Sequence, residues 1–204
     1  MTFKFRFSLL FIAAGIAGMY VHEIGHALFG WMQGIAVVPT PAKEYVLRTQ
    51  VEWHQMALIA LGGPLASAAV ISGTLLWYLR HRHATADAIL SGILVIPGIY
   101  TLRFLIVGRG HDGLEWQKAQ SALGLNPSGH ALDLAFLVLF ACGCAALAVR
   151  RASSLGWRSI GSVVGYSFLG LILLVAVQVV NNVLFDRSFP KTETLHAPPG
   201  LESK

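Results

Sequence analysis

Tyr20-Val21-His22-Glu23-Ile24-Gly25-His26-Ala27-Leu28-Phe29-Gly30 is the stretch from which the rest of this chain is read. It occupies the second half of an apolar run from about Phe7 to Trp31. A helix of about 20 apolar residues crosses the hydrocarbon core of a bilayer, so the run predicts a membrane span that carries polar groups. On a helix, His22 and His26 lie one turn apart on the same face. Two imidazoles placed this way can share one Zn²⁺ at about 2.0–2.1 Å. Glu23 follows His22 directly, where its carboxylate reaches a metal-bound water without ligating the metal, as a general base does. Ionisable side chains at membrane depth are costly and are usually kept for function. Three within five residues are hard to explain as packing or as a polar helix end.

Composition supports the membrane reading. Of 204 residues, 55% are hydrophobic and 12% charged, against about 25% charged in an ordinary soluble domain. The mean hydropathy is +0.62. Such a chain has too little polar surface to cover a water-soluble globule. The net charge of +5 does not point to nucleic acid. The basic residues stand in pairs and singles between apolar runs, as membrane-flanking charges do, and no basic stripe interleaves with aromatics. Cys142 and Cys144 lie two apart in an apolar run and read as small buried hydrophobes.

Five stretches are candidate spans: about Phe7–Trp31, Met56–Leu79, Ala88–Val107, Ala131–Val149 and Ile160–Phe185. Between them run short polar connections, 80–87, 108–130 and 150–159. The expected fold is an all-α membrane protein of about five transmembrane helices. Residues 1–185 form one polytopic domain, and 186–204, with Pro190, Pro198, Pro199 and Gly200, form a mobile, exposed tail. Residues 35–53 differ from the other connections. Ile35-Ala36-Val37-Val38 ends at Pro39 and Pro41, and Tyr45–Trp53 is rich in β-branched and aromatic residues. Two short strands around a Pro-containing turn are expected there. Lys4 and Arg6 precede the first apolar run much as in a secretory signal, but cleavage there would release the polar motif from its helix, so the run is read as an uncleaved span. Basic residues divide seven against seven between the two sides and give no orientation.

A catalytic zinc usually takes three protein ligands and keeps one position open. The third is sought in Gly108-Arg109-Gly110-His111-Asp112-Gly113-Leu114-Glu115-Trp116. The first and third spans run in the same direction, so their C-terminal ends meet at one membrane face. Asp112 leads there, with His111 and Glu115 as alternatives. Glu115 also suits a supporting place, orienting an imidazole through its other ring nitrogen.

With these residues assembled, the chain resembles the site-2 protease family of intramembrane zinc metalloproteases. His22-Glu23-Ile24-Gly25-His26, with Ala27-Leu28, matches the family's H-E-x-G-H helix. Gly62-Gly63-Pro64-Leu65-Ala66-Ser67 is similar to its Gly-Pro-Leu-Ala-Asn stretch, and His111-Asp112-Gly113 to its Leu-Asp-Gly motif. The resemblance covers about residues 7–116. It implies a three-helix catalytic core, zinc held by His22, His26 and Asp112, and cleavage of a substrate's transmembrane segment after local unwinding. It likens residues 35–53 to a membrane-associated β-region that pairs with an extended substrate. The sequence departs from the family at Ser67, where asparagine is usual, and at His111, where leucine is. Ser67 and His111 are candidates to contact substrate or line a water path. Asn181 or Asn182 could stand in for the missing asparagine, or simply hydrogen-bond between helices.

The expected function is hydrolysis of peptide bonds in or near transmembrane segments of membrane-protein substrates, with Zn²⁺ as cofactor and the lipid bilayer as surroundings. The chain is expected to be an integral multi-pass membrane protein, in the cell or inner membrane if its source is bacterial. A catalytically inactive relative that binds membrane partners is the alternative. A metal transporter or sensor using His22, His26 and His111 lacks a hydrophilic path through the second and fourth spans. A di-iron oxygenase would need several histidine boxes, and the other histidine pair, His81 and His83, sits beside Arg80 and Arg82 in a membrane-flanking turn.

Overall fold

The computed structural model describes residues 3–41, 43–81, 83–108, 110, 113–154, 172, 175–176, 179–181, 183–186, 188–189 and 191–197. Helix α1 covers Phe3–Met32, α2 Trp53–Arg80 and α6 Ala131–Ser154. These correspond to the first, second and fourth expected spans. All three are long and apolar enough to cross a membrane. Their outer faces are apolar too: Leu9, Leu28, Leu65, Leu76, Leu134 and Val138 are exposed. In water each such side chain would forgo roughly 1.5–3 kcal/mol of burial, whereas lipid accepts it without that loss.

The expected third span, Ala88–Val107, is not one straight helix. It is two helices, α3 (Ala84–Ile93) and α4 (Val95–Val107), bent by 44° at Leu94. Pro97 gives the reason. It has no N–H to offer the Ile93 carbonyl four residues back, and its ring crowds that carbonyl. The described residues therefore contain three helices long and apolar enough to cross a membrane, or four such segments if the bent pair counts as one. Most of the expected fifth span, Ile160–Phe185, lies outside the described residues; 179–181 and 183–185 are helical.

The polar connection after α4 holds a helix the sequence did not announce, α5 (Gly113–Ala122). Gly108 ends α4 with φ 79°, a left-handed conformation that glycine adopts freely. The turn between α2 and α3 is a solvated one, as expected. His83 caps α3 by accepting from the Ala86 N–H at 3.2 Å, and His81 stacks on Trp77. Cys142 and Cys144 are exposed rather than buried. They lie on α6, only 17% of whose apolar window is buried, so the apolar character there does not come from a protein core.

Glycines bring the helices together. A Cβ on Gly25 would collide with the Gly62 carbonyl oxygen, and one on Gly62 with the Gly25 carbonyl. Helices α1 and α2 thus cross backbone against backbone. Gly92 of α3 meets the Phe11 carbonyl of α1 in the same way, and Gly98 of α4 seats the Phe140 ring of α6. Small residues at such crossings are the usual means of helix association in lipid.

Residues 37–46 form the expected hairpin. Strands β1 (Val37–Pro39) and β2 (Glu44–Val46) pair antiparallel, with Val37 opposite Val46. The Thr40 N–H closes the turn onto the Lys43 carbonyl at 2.9 Å. A third strand, β3 (Gln50–Glu52), leads directly into α2 and pairs in parallel with β4 (Glu193–Leu195). Part of the expected free tail is therefore pinned to the β-region. Beneath the strands, Val37, Val46 and Val51 pack on Ala27 of α1 and Ile59 of α2.

Candidate metal centre

Two turns of α1 supply the first part of the site. His26 lies six residues before the end of α1 and His22 ten, which is about 9 and 15 Å along the axis at 1.5 Å per residue. Both are buried, and His26 is 0% exposed. Such groups require partners, and α2 provides them. His26 Nδ1 lies 2.7 Å from the Ile59 carbonyl oxygen, and His22 Nδ1 lies 2.8 Å from Ser67 Oγ. A carbonyl only accepts, so His26 Nδ1 carries the proton; the Gly63 N–H, 3.3 Å from the same nitrogen, is the longer and weaker contact. When the Ser67 hydroxyl accepts from His22 Nδ1, both Nε2 atoms present lone pairs.

Those two nitrogens face each other at 3.1 Å. With both Nδ1 atoms protonated the two lone pairs repel unless a cation lies between them; with one Nε2 protonated, the same distance is an N–H···N hydrogen bond. Glu115 Oε1 stands 3.4 Å from each Nε2. The three ligand atoms thus make a triangle with edges of 3.1, 3.4 and 3.4 Å. A tetrahedral zinc with bonds of about 2.0–2.2 Å needs ligand separations of about 3.3–3.5 Å. The donor set, two imidazoles and a carboxylate, is also one that catalytic zinc uses. On edges and chemistry, the residues present fit zinc.

Gly63 keeps the space open. A Cβ there would overlap His26 Nε2 and approach His22 Nε2 to 2.7 Å. Pro64 follows it inside α2 and withdraws one N–H from the helix ladder. The Gly62-Gly63 pair therefore serves two places, the α1–α2 crossing and the space beside the two Nε2 atoms.

Glu23 is buried, with Oε2 lacking a hydrogen-bond partner among the described residues. Oriented by α1, it belongs to a second cluster with His26 and Glu44, whose candidate ligand atoms all lie within 4.8 Å of one another. Glu44 opens β2. Sequence reasoning missed it, because only the hairpin register turns this residue inward. It missed Asp133 as well. This buried side chain in the first turn of α6 accepts from the Gly110 N–H at 2.9 Å and from Trp116 Nε1 at 2.8 Å. It therefore braces the backbone on both sides of residues 111–115.

The expected residues fall as follows. His22, Glu23 and His26 come together, and Glu115 joins the two Nε2 atoms. Ser67 meets His22 Nδ1. Asn181 is buried with its amide nitrogen unpaired among the described residues. Asp112, His111 and Asn182 lie outside the described side chains.

The hairpin beside the site carries its own polar contacts. Tyr45 OH donates to Asp186 at 2.9 Å, and Lys43 Nζ donates to the same oxygen at 2.8 Å. The Lys43 and Tyr45 hydrogen bonds hold the Asp186 carboxyl below its ordinary value. Burial, followed by the bond to Asp186, pushes the Tyr45 hydroxyl up to about 12.

No protein-family model, curated protein or solved structure matches this chain.

Proposed function

We propose that this chain is an intramembrane zinc metalloendopeptidase of the site-2 protease type, acting on transmembrane segments of membrane proteins. One observation carries the reading. Inside a membrane-length helix, two buried imidazoles turn their Nε2 atoms to one point, and a carboxylate from another element faces both. Structural histidine pairs do not need a third, anionic partner on the same two nitrogens. Glu23 stands beside that point with an unpaired oxygen.

His22, His26 and a carboxylate of residues 112–115 would hold the metal. Zinc bound there supplies Lewis acidity, which acidifies a water and polarises a carbonyl. Glu23 takes a proton from the attacking water on its carboxylate and returns it to the leaving amine nitrogen as the peptide C–N bond breaks. Ser67 and the Ile59 carbonyl hold the imidazole planes. The β-region presents backbone N–H and C=O groups to an extended segment. A peptide bond inside a helix is shielded; one drawn out along a strand is not.

Metal analysis and cleavage assays of four variants test this. Glu23→Gln is expected to keep stoichiometric zinc and to lose cleavage of a transmembrane reporter by about 10²–10⁴-fold, the usual contribution of a general base. A fully active Glu23→Gln enzyme would overturn the mechanism. For the third ligand, Glu115 is the candidate among the described residues, and the resemblance points to Asp112. Glu115→Ala is expected to lose zinc. Loss confined to Asp112→Ala moves the ligand to Asp112, and zinc retained by both variants removes the site. His22→Ala serves as the metal-free control.

A further inference from the structure

Residues 186–197 return to the strand region beside the metal site along an ordered set of contacts. Asp186 receives hydrogen bonds from Lys43 and Tyr45. The Phe189 ring stacks on Tyr45 with centroids 4.3 Å apart. Thr192 Oγ1 donates to the Val46 carbonyl at 3.0 Å, and the Glu193 N–H donates to the Thr49 carbonyl at 2.7 Å. Strand β4 then pairs with β3, Val51 opposite Thr194. All of these partners lie between Lys43, which leads into β2, and the end of β3.

That edge is close to the chemistry. Glu44, adjacent to Tyr45, clusters with Glu23 and His26. Val51 packs in one apolar cluster with Ala27, the neighbour of His26, and with Ile59, whose carbonyl orients that imidazole. A strand on β3 therefore lies over the wall that holds the metal ligands.

The hold is of a releasable kind. The ladder is three residues long, and isolated two-stranded pairs are marginal. The Lys43–Asp186 pair is nearly half exposed on both sides, where ion pairs contribute little. Beneath it, Val46 and Val51 are buried in the apolar cluster of the helices. The acceptor edge is therefore firmly built, and the strand lying on it is lightly attached.

We propose that residues 186–197 are a tethered competitor for the β3 edge, a strap in the place where an extended peptide segment adds as a strand. This rests on the peptidase reading for the identity of the displaced peptide, a stretched transmembrane segment of a substrate. A tethered strand acts at an effective concentration in the millimolar range, so only a peptide that is itself anchored nearby, as a substrate in the same membrane is, displaces it readily. The strap thereby selects against free peptides in solution.

The test uses the full chain with Phe189→Ala and Glu193→Pro, which remove the ring stack and the N–H given to Thr49. The probe is a fluorescent peptide of sequence Lys191–Ala197 supplied in trans. The released variant is expected to bind it at least about 10-fold more tightly than wild type and to cleave a transmembrane reporter several-fold faster. Equal peptide binding and equal cleavage in the two proteins would overturn the strap, as would loss of cleavage in a variant that still holds zinc, since that marks β4 as part of the working site. The single variant Phe189→Ala, which leaves the ladder donor in place, gives the same readouts if the double variant does not fold. Tighter peptide binding with no cleavage by any form, wild type included, keeps the strap and removes the peptidase reading.

Discussion

At the scale of single residues, the buried histidine pair and the glutamate beside it were legible and the groups that hold the imidazoles were not. Three ionisable residues in five, inside an apolar run, leave a mark that any reader of the sequence meets. The Ile59 carbonyl leaves none, because a backbone acceptor has no residue type to betray it. Ser67 was legible as a polar departure, yet its contact is with His22 Nδ1. A hydroxyl there holds the orientation of the His22 ring. Ser67→Ala is accordingly expected to weaken zinc binding by about 10–100-fold, the usual effect of losing such a partner, with the fold retained. Competition titration against a chelator of known affinity measures it. An unchanged affinity would mean that the Ser67 contact does not orient His22.

At the scale of elements, hydropathy located α1, α2 and α6 because lipid demands long apolar runs. It did not locate the break at Leu94, since Pro97 and its flanks remain apolar on either side of the bend. Nor did it find α5, whose ten residues are too few and too polar to stand out between two spans. The hairpin was legible from local β-branched residues and prolines. The β3–β4 pair was not: its strands lie far apart in the chain, and local pattern carries no information on such pairing. The α1–α2 crossing also has an energetic consequence. Gly62→Ala puts a methyl on the Gly25 carbonyl, where neither backbone can yield. Overpacking of this kind costs about 1–3 kcal/mol, occasionally more. Thermal unfolding in detergent is expected to shift downward, and zinc to be lost along with it, because the same crossing sets His26 against Ile59. Ala66→Gly, on the same helix, serves as a control without added bulk.

At the scale of the whole molecule, the strand region and the helical core are joined through groups that titrate. Asp186 is held below its ordinary value, so its stabilisation of the strap is complete above the ordinary carboxylate range, about 4, and disappears as pH falls through the depressed value. Tyr45 is raised to about 12. Its contribution is complete below the ordinary tyrosine value, about 10, and is lost as pH rises toward 12. Between those limits the strap is held. A spin label at position 196 is expected to be equally immobile at pH 5 and pH 9, and to gain mobility on either side of the window. Tyr45→Phe should weaken the alkaline transition, leaving the part that comes from the Lys43–Asp186 pair. A label already mobile at neutral pH would contradict it.

The glycine contact between α1 and α2 also determines what can move while a substrate enters. Backbones touching without side chains between them have no rotamers to rearrange and no volume to give. The two helices carrying His22, His26, Ile59, Gly63 and Ser67 therefore behave as a single rigid jaw. A guest helix arriving sideways from the lipid cannot part them. Room for it has to come from the opposite jaw, the kinked α3–α4 arm with its ring-on-glycine contact to α6, or from the strands above. On the peptidase reading proposed above, the bend at Leu94 is where that arm would flex, far along the chain from His22 and His26.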